Sequence, residues 1–422
     1  MATLKSLDLL TATVVRNPAV RRVGRIRSLT GSTVTLVGLS DVAGVGDRVT
    51  FDGMCKVKGE VIGVSTASCN VMIDGSGEGL KIGQPARYVG KAHLFPHESW
   101  LGRVIDGDGR ALDGKPLVCG AEPVSPHSEP PAATTRRALG ARLNTGQALF
   151  NTILPFVRGQ RIGLFSGSGV GKSSLMAAFA RDMEADVVVI GLIGERGREV
   201  NQFVNRVLGQ KGLARSVVIA ATSDQSALAR RRAAFSAMSV AEFFRNQGRH
   251  VLLMLDSITR LAEAQREIAV AAGESVAMRG FPPSMVPLLA GFAERAGPGG
   301  DGMGDITALF TVLVSASDMD EPVADTLRGL LDGHIVLSRE IAERGRFPAV
   351  DILRSVSRSL PEAATAEENE LIRRARDALG TYEESEIMIR SGLYQPGANA
   401  KLDKAIAQYP FLDAFAAERT QS

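Results

Sequence analysis

Ser166-Gly-Ser-Gly-Val-Gly-Lys172-Ser173 is the most informative stretch of this chain. An apolar run, Arg161–Ser166, leads directly into it, and the helix-prone segment Ser173–Met183 follows directly. The order strand, glycine loop, helix is the setting of a phosphate-binding loop (P-loop), in which backbone amides converge on phosphate oxygens and the helix N-terminus adds its positive dipole. The usual pattern starts with glycine, whereas Ser166 stands at that position here. Because the later glycines are all present, a chance glycine-rich turn is the weaker interpretation.

Each part of this loop has a chemical role in holding a nucleoside triphosphate. Lys172 is expected to reach the β- and γ-phosphates, and the Ser173 hydroxyl is expected to ligate Mg2+. The pattern therefore predicts ATP and Mg2+ as cofactors. The other binding residues predicted are the rest of the loop and the start of the helix: Gly167, Ser168, Gly169, Val170, Gly171 and Ser174.

A second apolar run, Val251–Leu255, ends in the carboxylate of Asp256. A P-loop requires an acid on a neighbouring strand, and Asp256 is expected to hold the metal through water. A strand-terminal Asp that caps the following helix is the alternative, and the two roles are compatible.

A third apolar run, Asp186–Gly191, is expected to end as a strand before a loop that carries Glu195, Arg196 and Glu199. Hydrolysis needs a carboxylate that polarises a water in line with the γ-phosphorus, and Glu195 at the C-terminal edge of a strand suits that role. Taken alone, these charges would indicate a solvated loop with mutual ion pairs. Their position one strand after the P-loop helix favours the catalytic interpretation.

The chain of 422 residues is too long for one ordinary core, so two or three domains are expected. Residues 1–90 contain short β-rich runs between Gly, Asp and Ser turns, which predicts a small antiparallel barrel. Residues 91–142 are rich in Gly and Pro and are interpreted as a linker. Strands alternate with helices over residues 143–360, which predicts an α/β domain with a mostly parallel sheet covered on both faces. Residues 361–422 are charged and helix-prone, which predicts a small C-terminal helical domain.

Composition excludes several classes of protein. Apolar residues make up 45% and charged residues 23% of the chain, which is typical of a globular protein. No segment has the length and apolarity of a signal peptide or a membrane span, so a cytoplasmic protein is expected. Cys55, Cys69 and Cys119 are far apart, which favours reduced thiols over a disulfide framework or a metal site. A net charge of +3, with one Trp and four Tyr, does not favour specific nucleic-acid binding.

Four runs together resemble the catalytic core of the rotary-ATPase alpha/beta superfamily. They are the P-loop, GERGRE at Gly194–Glu199, LLMLDSITR at Leu252–Arg260 and PAVDILRSVSR at Pro348–Arg358. The resemblance spans nearly the whole chain. It implies an N-terminal β-barrel, a RecA-like P-loop nucleotide domain and a C-terminal helical domain.

The resemblance also implies roles for individual residues. It puts Glu195 at the position of the catalytic base, with Arg196 beside it, and Glu199 where it would orient metal-bound water. Arg358 falls at the position of an arginine finger that acts on the site of an adjoining subunit; a surface arginine paired with a local acid is the alternative. Phe347 falls where the family stacks an aromatic ring on adenine, and a packed turn aromatic is the alternative.

Within the superfamily, several runs are more similar to type III protein-export ATPases than to ATP-synthase subunits, and the flagellar ones are the most similar. Among these runs are Arg279–Ser284, Glu321–Asp325, Leu331–Arg339 and Gly392–Gly397. The injectisome relatives share nearly all of them. The chain departs from the family at its short N-terminus, where Leu4–Val15 is the only candidate for a regulator-binding helix, and at Thr145–Phe150.

This branch implies a homohexameric motor that hydrolyses ATP and lies peripherally at the inner face of the bacterial membrane. The implied partners are export-gate membrane proteins, a regulatory or stator protein, and complexes of export chaperones with their substrates. Two other interpretations remain open. A catalytic subunit of a proton-translocating ATP synthase would need a separate non-catalytic chain. A hexameric nucleic-acid translocase would need a basic, aromatic-rich barrel, which residues 23–90 do not show.

Overall fold

The computed structural model describes residues 22–52, 57–314 and 319–420. Two subjects of the sequence analysis lie outside these ranges: the helix predicted for Leu4–Val15 and the thiol of Cys55. The thiol of Cys69 is free and buried, and burial raises its pKa. Cys119 is also free and is half-buried.

The N-terminal barrel is present as predicted. Its described strands are β1 (Val23–Thr30), β2 (Thr33–Val37), β3 (Arg48–Phe51), β4 (Val57–Val64), β5 (Cys69–Asp74) and β6 (Pro85–Gly90). They close antiparallel in the order β1-β2-β5-β4-β3-β6. Side chains alternate along the strands, so Val34 and Leu36 of β2 point into the barrel and are fully buried. The inside of the barrel is thereby filled with apolar side chains.

The segment interpreted as a linker, residues 91–142, is partly built into the nucleotide domain. It contains a 3-10 turn at Glu98–Trp100 and the short strand β7 (Arg103–Ile105). Trp100 is buried, and its indole Nε1 donates to the carbonyl oxygen of Val118 at 2.6 Å. β7 pairs in parallel with a strand of the central sheet and becomes its edge. Glycine and proline content indicated an irregular segment, but it does not show that a segment lacks contacts.

The central sheet has nine strands among the described residues. Besides β7 they are β8 (Arg161–Ser166), β9 (Val187–Glu195), β10 (Ser216–Thr222), β11 (Val251–Asp256), β12 (Gly297–Pro298), β13 (Asp305–Leu313), β14 (Gly333–Leu337) and β15 (Val350–Ser357). The order is β15-β14-β8-β13-β11-β9-β10-β7, with β12 paired to β13. Pairing is parallel except where β12 meets β13 and where β14 meets β15. The mostly parallel sheet is therefore confirmed.

One strand prediction needs correction, and the strand β15 was not predicted. The strand predicted for Asp186–Gly191 continues to Glu195, because Leu192 and Ile193 are buried and keep pairing with β10. Glu195 is thus the last residue of the strand and does not lie in a loop. The run Pro348–Arg358, noted only for its resemblance to a family signature, contains the antiparallel edge strand β15 (Val350–Ser357).

Helices cover the sheet. They are Ala148–Asn151, Lys172–Asp182, Gly197–Gln202, Gly209–Ala214, Ala227–Asn246, Ile258–Ala271, Met285–Arg295, Pro322–Leu330 and Arg339–Glu343, with a π-helical turn at Phe203–Leu208 and a 3-10 turn at Met278–Gly280. One apolar core lies on each face of the sheet. In β8, Ile162 and Leu164 face the core that contains the P-loop helix, whereas Phe165 faces the opposite core. The two faces are covered as expected of a parallel sheet.

The C-terminal region is helical, as predicted. Its helices are Ala366–Arg390 and Ala400–Ala417. The first begins with a capping box, in which Thr365 and Glu368 satisfy each other's backbone amides. The two helices pack together through the stacked rings of Tyr382 and Tyr409, whose centroids are 3.7 Å apart. Among the described residues, no helix is both long and apolar enough to cross a membrane.

Ion pairs attach the barrel to the nucleotide domain. Arg232, on the helix Ala227–Asn246, contacts Asp74 of β5 at 3.0 Å and Asp108 at 3.2 Å, and its side chain is only 9% exposed. Burial by itself would raise the pKa of Asp108, but Arg232 and Arg48 hold it well below its usual range. Breaking one partner of such a buried cluster is costly, so the barrel is held in a defined position on the nucleotide domain.

Candidate active site

The P-loop lies at the C-terminal end of β8, which is flanked by β13 and β14 in the middle of the sheet. Gly169 and Gly171 have φ angles of +80° and +88°, a left-handed conformation that strains other residues. The Val170 side chain is buried at 2% exposure, so its backbone is the part that can face a phosphate. The helix of the P-loop begins at Lys172. Local sequence therefore builds the loop that the motif predicted.

An open cavity of about 640 Å³ lies over the P-loop. Its lining comprises Gly167, Ser168, Gly169, Gly171, Lys172, Ser173, Ser174, Gly194, Glu195, Arg196, Glu199, Ser223, Arg260 and Leu313. The structure thus brings together the predicted P-loop residues with Glu195, Arg196 and Glu199. It does not bring Phe347 or Arg358 into the lining, and Asp256 lies beneath it.

Lys172 joins the two predicted acids. Its Nζ lies 2.5 Å from Oδ1 of Asp256 and 3.9 Å from Oε1 of Glu195. Asp256 ends β11 and Glu195 ends β9, and these two strands are parallel neighbours. Their carboxyl ends therefore meet at one edge of the sheet, next to the P-loop.

Glu195 has the electrostatic character of a general base. Burial, and next the negative charge of Asp256, raise its pKa to about 7, although Lys172 acts in the opposite direction. A carboxylate with a pKa near neutrality can both accept a proton from water and release it again.

Arg196 and Glu199 lie at the rim of the cavity. The Arg196 side chain is 74% exposed, and its Nη1 is 3.5 Å from Oε1 of Glu199. This is the mutual ion pair that the sequence analysis weighed as the alternative for an isolated cluster. Because both side chains also line the cavity, the contact leaves them available to a nucleotide.

Arg260 lines the cavity, although no role was predicted for it from the sequence. It lies in the first turn of the helix Ile258–Ala271, and its Nη1 donates to Oε2 of Glu263 at 2.7 Å. A Cβ atom on Gly194, whose φ is +74°, would lie 3.0 Å from Cγ of Arg260. Gly194 therefore makes room for Arg260. The available signal was position, since Arg260 lies in the first turn of the helix that directly follows Asp256 and the N-cap Ser257.

Phe347 lies next to the P-loop but is 52% exposed. A Cβ atom on Gly171 would be 3.1 Å from Cδ1 of Phe347, so the ring lies against the loop at the start of its helix. The ring is neither buried in a core nor fully free. Adenine stacking by Phe347 stays a prediction.

Arg358 follows β15 and points away from the cavity of its own chain. Its Nη1 donates to the carbonyl oxygen of Leu331 at 3.0 Å, and its Nη2 donates to that of Arg328 at 3.1 Å. These carbonyls close the helix Pro322–Leu330, where a cation is favoured by the helix dipole. Among residues 22–52, 57–314 and 319–420, the contacts found for the Arg358 guanidinium are to backbone carbonyls, and its role as an arginine finger stays a prediction.

The oxygen donors around the cavity suit a magnesium ion. Ser173 and Glu199 line it, and Asp256 lies beneath it on Lys172. The described residues contain no cluster of three or more His, Cys, Asp or Glu that could hold a metal without help. Mg2+ is commonly held by one or two protein oxygens together with substrate phosphates, so this sparse donor set fits it.

This chain is similar to several known proteins. Residues 146–357 match the nucleotide-binding domain of the ATP synthase alpha/beta family, and residues 364–421 match the T3SS EscN ATPase C-terminal domain. The chain is 43% identical to the flagellum-specific ATP synthase of Caulobacter vibrioides over 415 residues, which covers 96% of this chain and 94% of that protein. It is 41% identical to the type 3 secretion system ATPase of Pseudomonas syringae pv. tomato, covering 94% and 90% of the two chains.

The fold also matches solved structures. The assembled ATPase EscN of the enteropathogenic E. coli type III secretion system superposes with a TM-score of 0.88 at 36% identity, covering 94% of this chain and 96% of that one. EscN in complex with its central stalk EscO gives a TM-score of 0.85 at 36% identity, with the same coverage of both chains.

Proposed function

Because this chain belongs to the ATP synthase alpha/beta family, in its branch of type III export ATPases, we propose that it is an Mg-dependent motor that hydrolyses ATP to drive protein export across the membrane. The observation that carries the chemical part is the position of Glu195. It lines the P-loop cavity at the end of β9, 3.9 Å from the P-loop lysine, with its pKa raised to about 7.

In this mechanism the P-loop amides and Lys172 bind the phosphates, which draws Lys172 from Asp256 toward the nucleotide. Glu195 accepts a proton from a water as the water oxygen bonds to the γ-phosphorus, and the bond from that phosphorus to the ADP oxygen breaks. Arg260 presents a second positive charge at the same cavity and would stabilise charge on the transferred group.

Ser173 and Asp256 would hold the metal, with Glu199 orienting a water on it. When bound, Mg2+ supplies positive charge to the β- and γ-phosphate oxygens. The residues of this chain fix its position relative to Lys172 and Glu195.

Arg358 is proposed to complete the site of an adjoining subunit. Its guanidinium is anchored on the carbonyls of Arg328 and Leu331, outside the cavity of its own chain. A chain that carries both a P-loop face and a finger face can assemble head to tail, and such contacts form a ring when the rotation between neighbours closes. We propose a ring of identical chains on this basis, and we propose six chains because the resemblance to type III export ATPases implies a hexamer.

We propose the flagellar system as the site of action, since flagellar relatives match at 39–47% identity. The type 3 secretion relatives, at 41%, keep the injectisome as the second candidate. The motor would act in the cytoplasm, peripherally at the inner face of the membrane. Its proposed partners are export-gate proteins, a regulatory or stator protein, and chaperone–substrate complexes.

The experiment that tests the chemistry compares Lys172→Ala with Glu195→Gln. Lys172 contacts charge that is present in the ground state, so Lys172→Ala should lose nucleotide binding. Glu195→Gln should bind ATP like wild type but hydrolyse it about 10²–10⁴-fold more slowly in a single turnover, because Gln cannot take the proton. Glu367→Gln, at an exposed glutamate of the C-terminal domain, is the matched control and should hydrolyse normally. Near wild-type hydrolysis by Glu195→Gln would rule out the assignment of the base.

A further inference from the structure

Strand β13 places one hydroxyl group against the carboxylate of Asp256. Thr311 is fully buried, and its Oγ1 donates to Oδ1 of Asp256 at 2.7 Å. The carbonyl oxygen of Leu255, at 3.2 Å, is the longer alternative acceptor. Since a threonine hydroxyl has one hydrogen, the shorter contact to the charged acceptor is the stronger one.

The hydrogen bonds of Asp256 to described residues are concentrated on one of its two oxygens. Oδ1 accepts one hydrogen bond from Oγ1 of Thr311 at 2.7 Å and one from Nζ of Lys172 at 2.5 Å. Among residues 22–52, 57–314 and 319–420, no hydrogen bond to Oδ2 is found. The carboxylate is therefore oriented through Oδ1, and Oδ2 is left for another partner.

Lys172 and Thr311 differ in what happens when a nucleotide binds. Phosphates compete for the ammonium group of Lys172, which lines the cavity. Thr311 is fully buried on β13, between β8 and β11, and is not part of the cavity lining. After Lys172 turns toward the phosphates, Thr311 is the described donor that still holds Oδ1.

Packing alone does not explain a threonine at this position. The preceding residue on the same face of β13, Leu309, is apolar and fully buried. Valine has nearly the same shape as threonine and would suit these surroundings, whereas a buried hydroxyl has to be hydrogen-bonded to be tolerated.

We propose that Thr311 is a positioning residue for the metal site: it holds Oδ1 of Asp256 in the nucleotide complex, so that Oδ2 faces the water shell of Mg2+. The inference rests on the proposed function, because it assumes that nucleotide and metal bind at this cavity. Residues that orient metal ligands from behind commonly change metal affinity by 10–100-fold when they are replaced.

The test uses Thr311→Val, which removes the donor and keeps the shape, and Thr311→Ser, which keeps the donor. Affinity for ADP is measured in EDTA, and affinity for Mn2+ is then measured on the ADP-saturated protein by electron paramagnetic resonance of the free ion. Thr326→Val is the matched control, because its hydroxyl also donates at 2.7 Å, but to the carbonyl of Pro322 in a helix outside the cavity.

We expect Thr311→Val to bind ADP in EDTA like wild type and to bind Mn2+ about tenfold more weakly. Thr311→Ser should recover most of the Mn2+ affinity, and Thr326→Val should match wild type. If Thr311→Val does not fold, Thr311→Ala serves as the second donor-free variant with the same expectation.

Two results would overturn the proposal. One is Mn2+ affinity unchanged in Thr311→Val while wild type shows a clear metal site. The other is equal weakening in Thr311→Val and Thr311→Ser, since the hydroxyl would then not be the cause. If wild-type protein binds no Mn2+ in the ADP complex, the proposed Mg-dependent function fails, and this result is distinct from both.

Discussion

Replacing Arg358 with alanine separates the two roles that its position allows. Within its own chain the guanidinium makes two hydrogen bonds, to the carbonyls of Leu331 and Arg328. Such bonds contribute about 0.5–1.5 kcal/mol each, so their loss lowers the free energy of unfolding by about 1–3 kcal/mol at most. Arg358 is not part of the lining of its own cavity, so nucleotide affinity should be unchanged.

The catalytic loss should be much larger. An arginine finger contributes about 10³–10⁵ in rate, equivalent to about 4–7 kcal/mol in the activation barrier. Thermal unfolding, nucleotide binding and steady-state ATPase activity are measured on the same preparations. Arg354→Ala, at an exposed arginine earlier on β15, is the control and should retain activity.

Mixing chains tests whether the finger acts between subunits. In randomly mixed rings of Arg358→Ala and Glu195→Gln chains, about one quarter of the interfaces join an intact finger to an intact base. ATPase activity should therefore reappear on mixing, and activity per wild-type chain should fall on dilution as rings dissociate. Co-assembled mixtures that stay inactive would refute the shared interface. Specific ATPase activity that stays constant at protein concentrations far below those at which rings assemble would refute a site shared between subunits.

Other outcomes follow from single contacts. Gly194→Ala should lower the free energy of unfolding by about 1–3 kcal/mol, because the φ of +74° at this position is left-handed and strains alanine. The added Cβ would also press on Arg260, so ATPase activity should fall. Chemical denaturation measures the loss of stability. Burial lowers the pKa of His250 to about 4. The contribution of this neutral side chain to the free energy of unfolding should be complete above the pKa of His250 in the unfolded chain and should be lost as the pH falls toward 4. The slope from this group is at most about 1.4 kcal/mol per pH unit, and urea denaturation should show a shallower pH dependence in His250→Gln. RNA or single-stranded DNA should not stimulate the ATPase at about 150 mM salt, where the Debye length is near 8 Å; strong stimulation in a coupled ATPase assay would favour a nucleic-acid translocase.

Features that depend on neighbouring residues in the chain could be predicted well. The P-loop follows from glycines between an apolar run and a helix-prone run, because the conformation of a short loop depends on its own residues. The inward and outward alternation of β2, and the capping box at Thr365, are equally local. Such patterns sufficed for the barrel, the α/β domain and the C-terminal helices, and for the types of residue at the site.

Strand order, in contrast, was not contained in any local pattern. β8, β9, β11 and β13 are separated in sequence, and only their order in the sheet, β8-β13-β11-β9, brings Lys172, Thr311, Asp256 and Glu195 together. β9 continues past Gly191, its predicted end, to Glu195 because it keeps pairing with β10. The residues around Gly191 do not indicate this pairing.

The sequence by itself therefore determined the chemistry available to this protein: a P-loop, an acid at or shortly after the end of each of two strands, and an arginine near the end of the α/β domain. The tertiary structure decided which of these groups act on one another. Burial beside Asp256 moves the pKa of Glu195 to about 7, and this depends on atoms distant along the chain. The direction of Arg358, away from its own cavity, depends likewise on carbonyls at the end of another helix. Electrostatic and hydrogen-bond energies depend on the distances between atoms in space, so these interactions form only when the chain is folded.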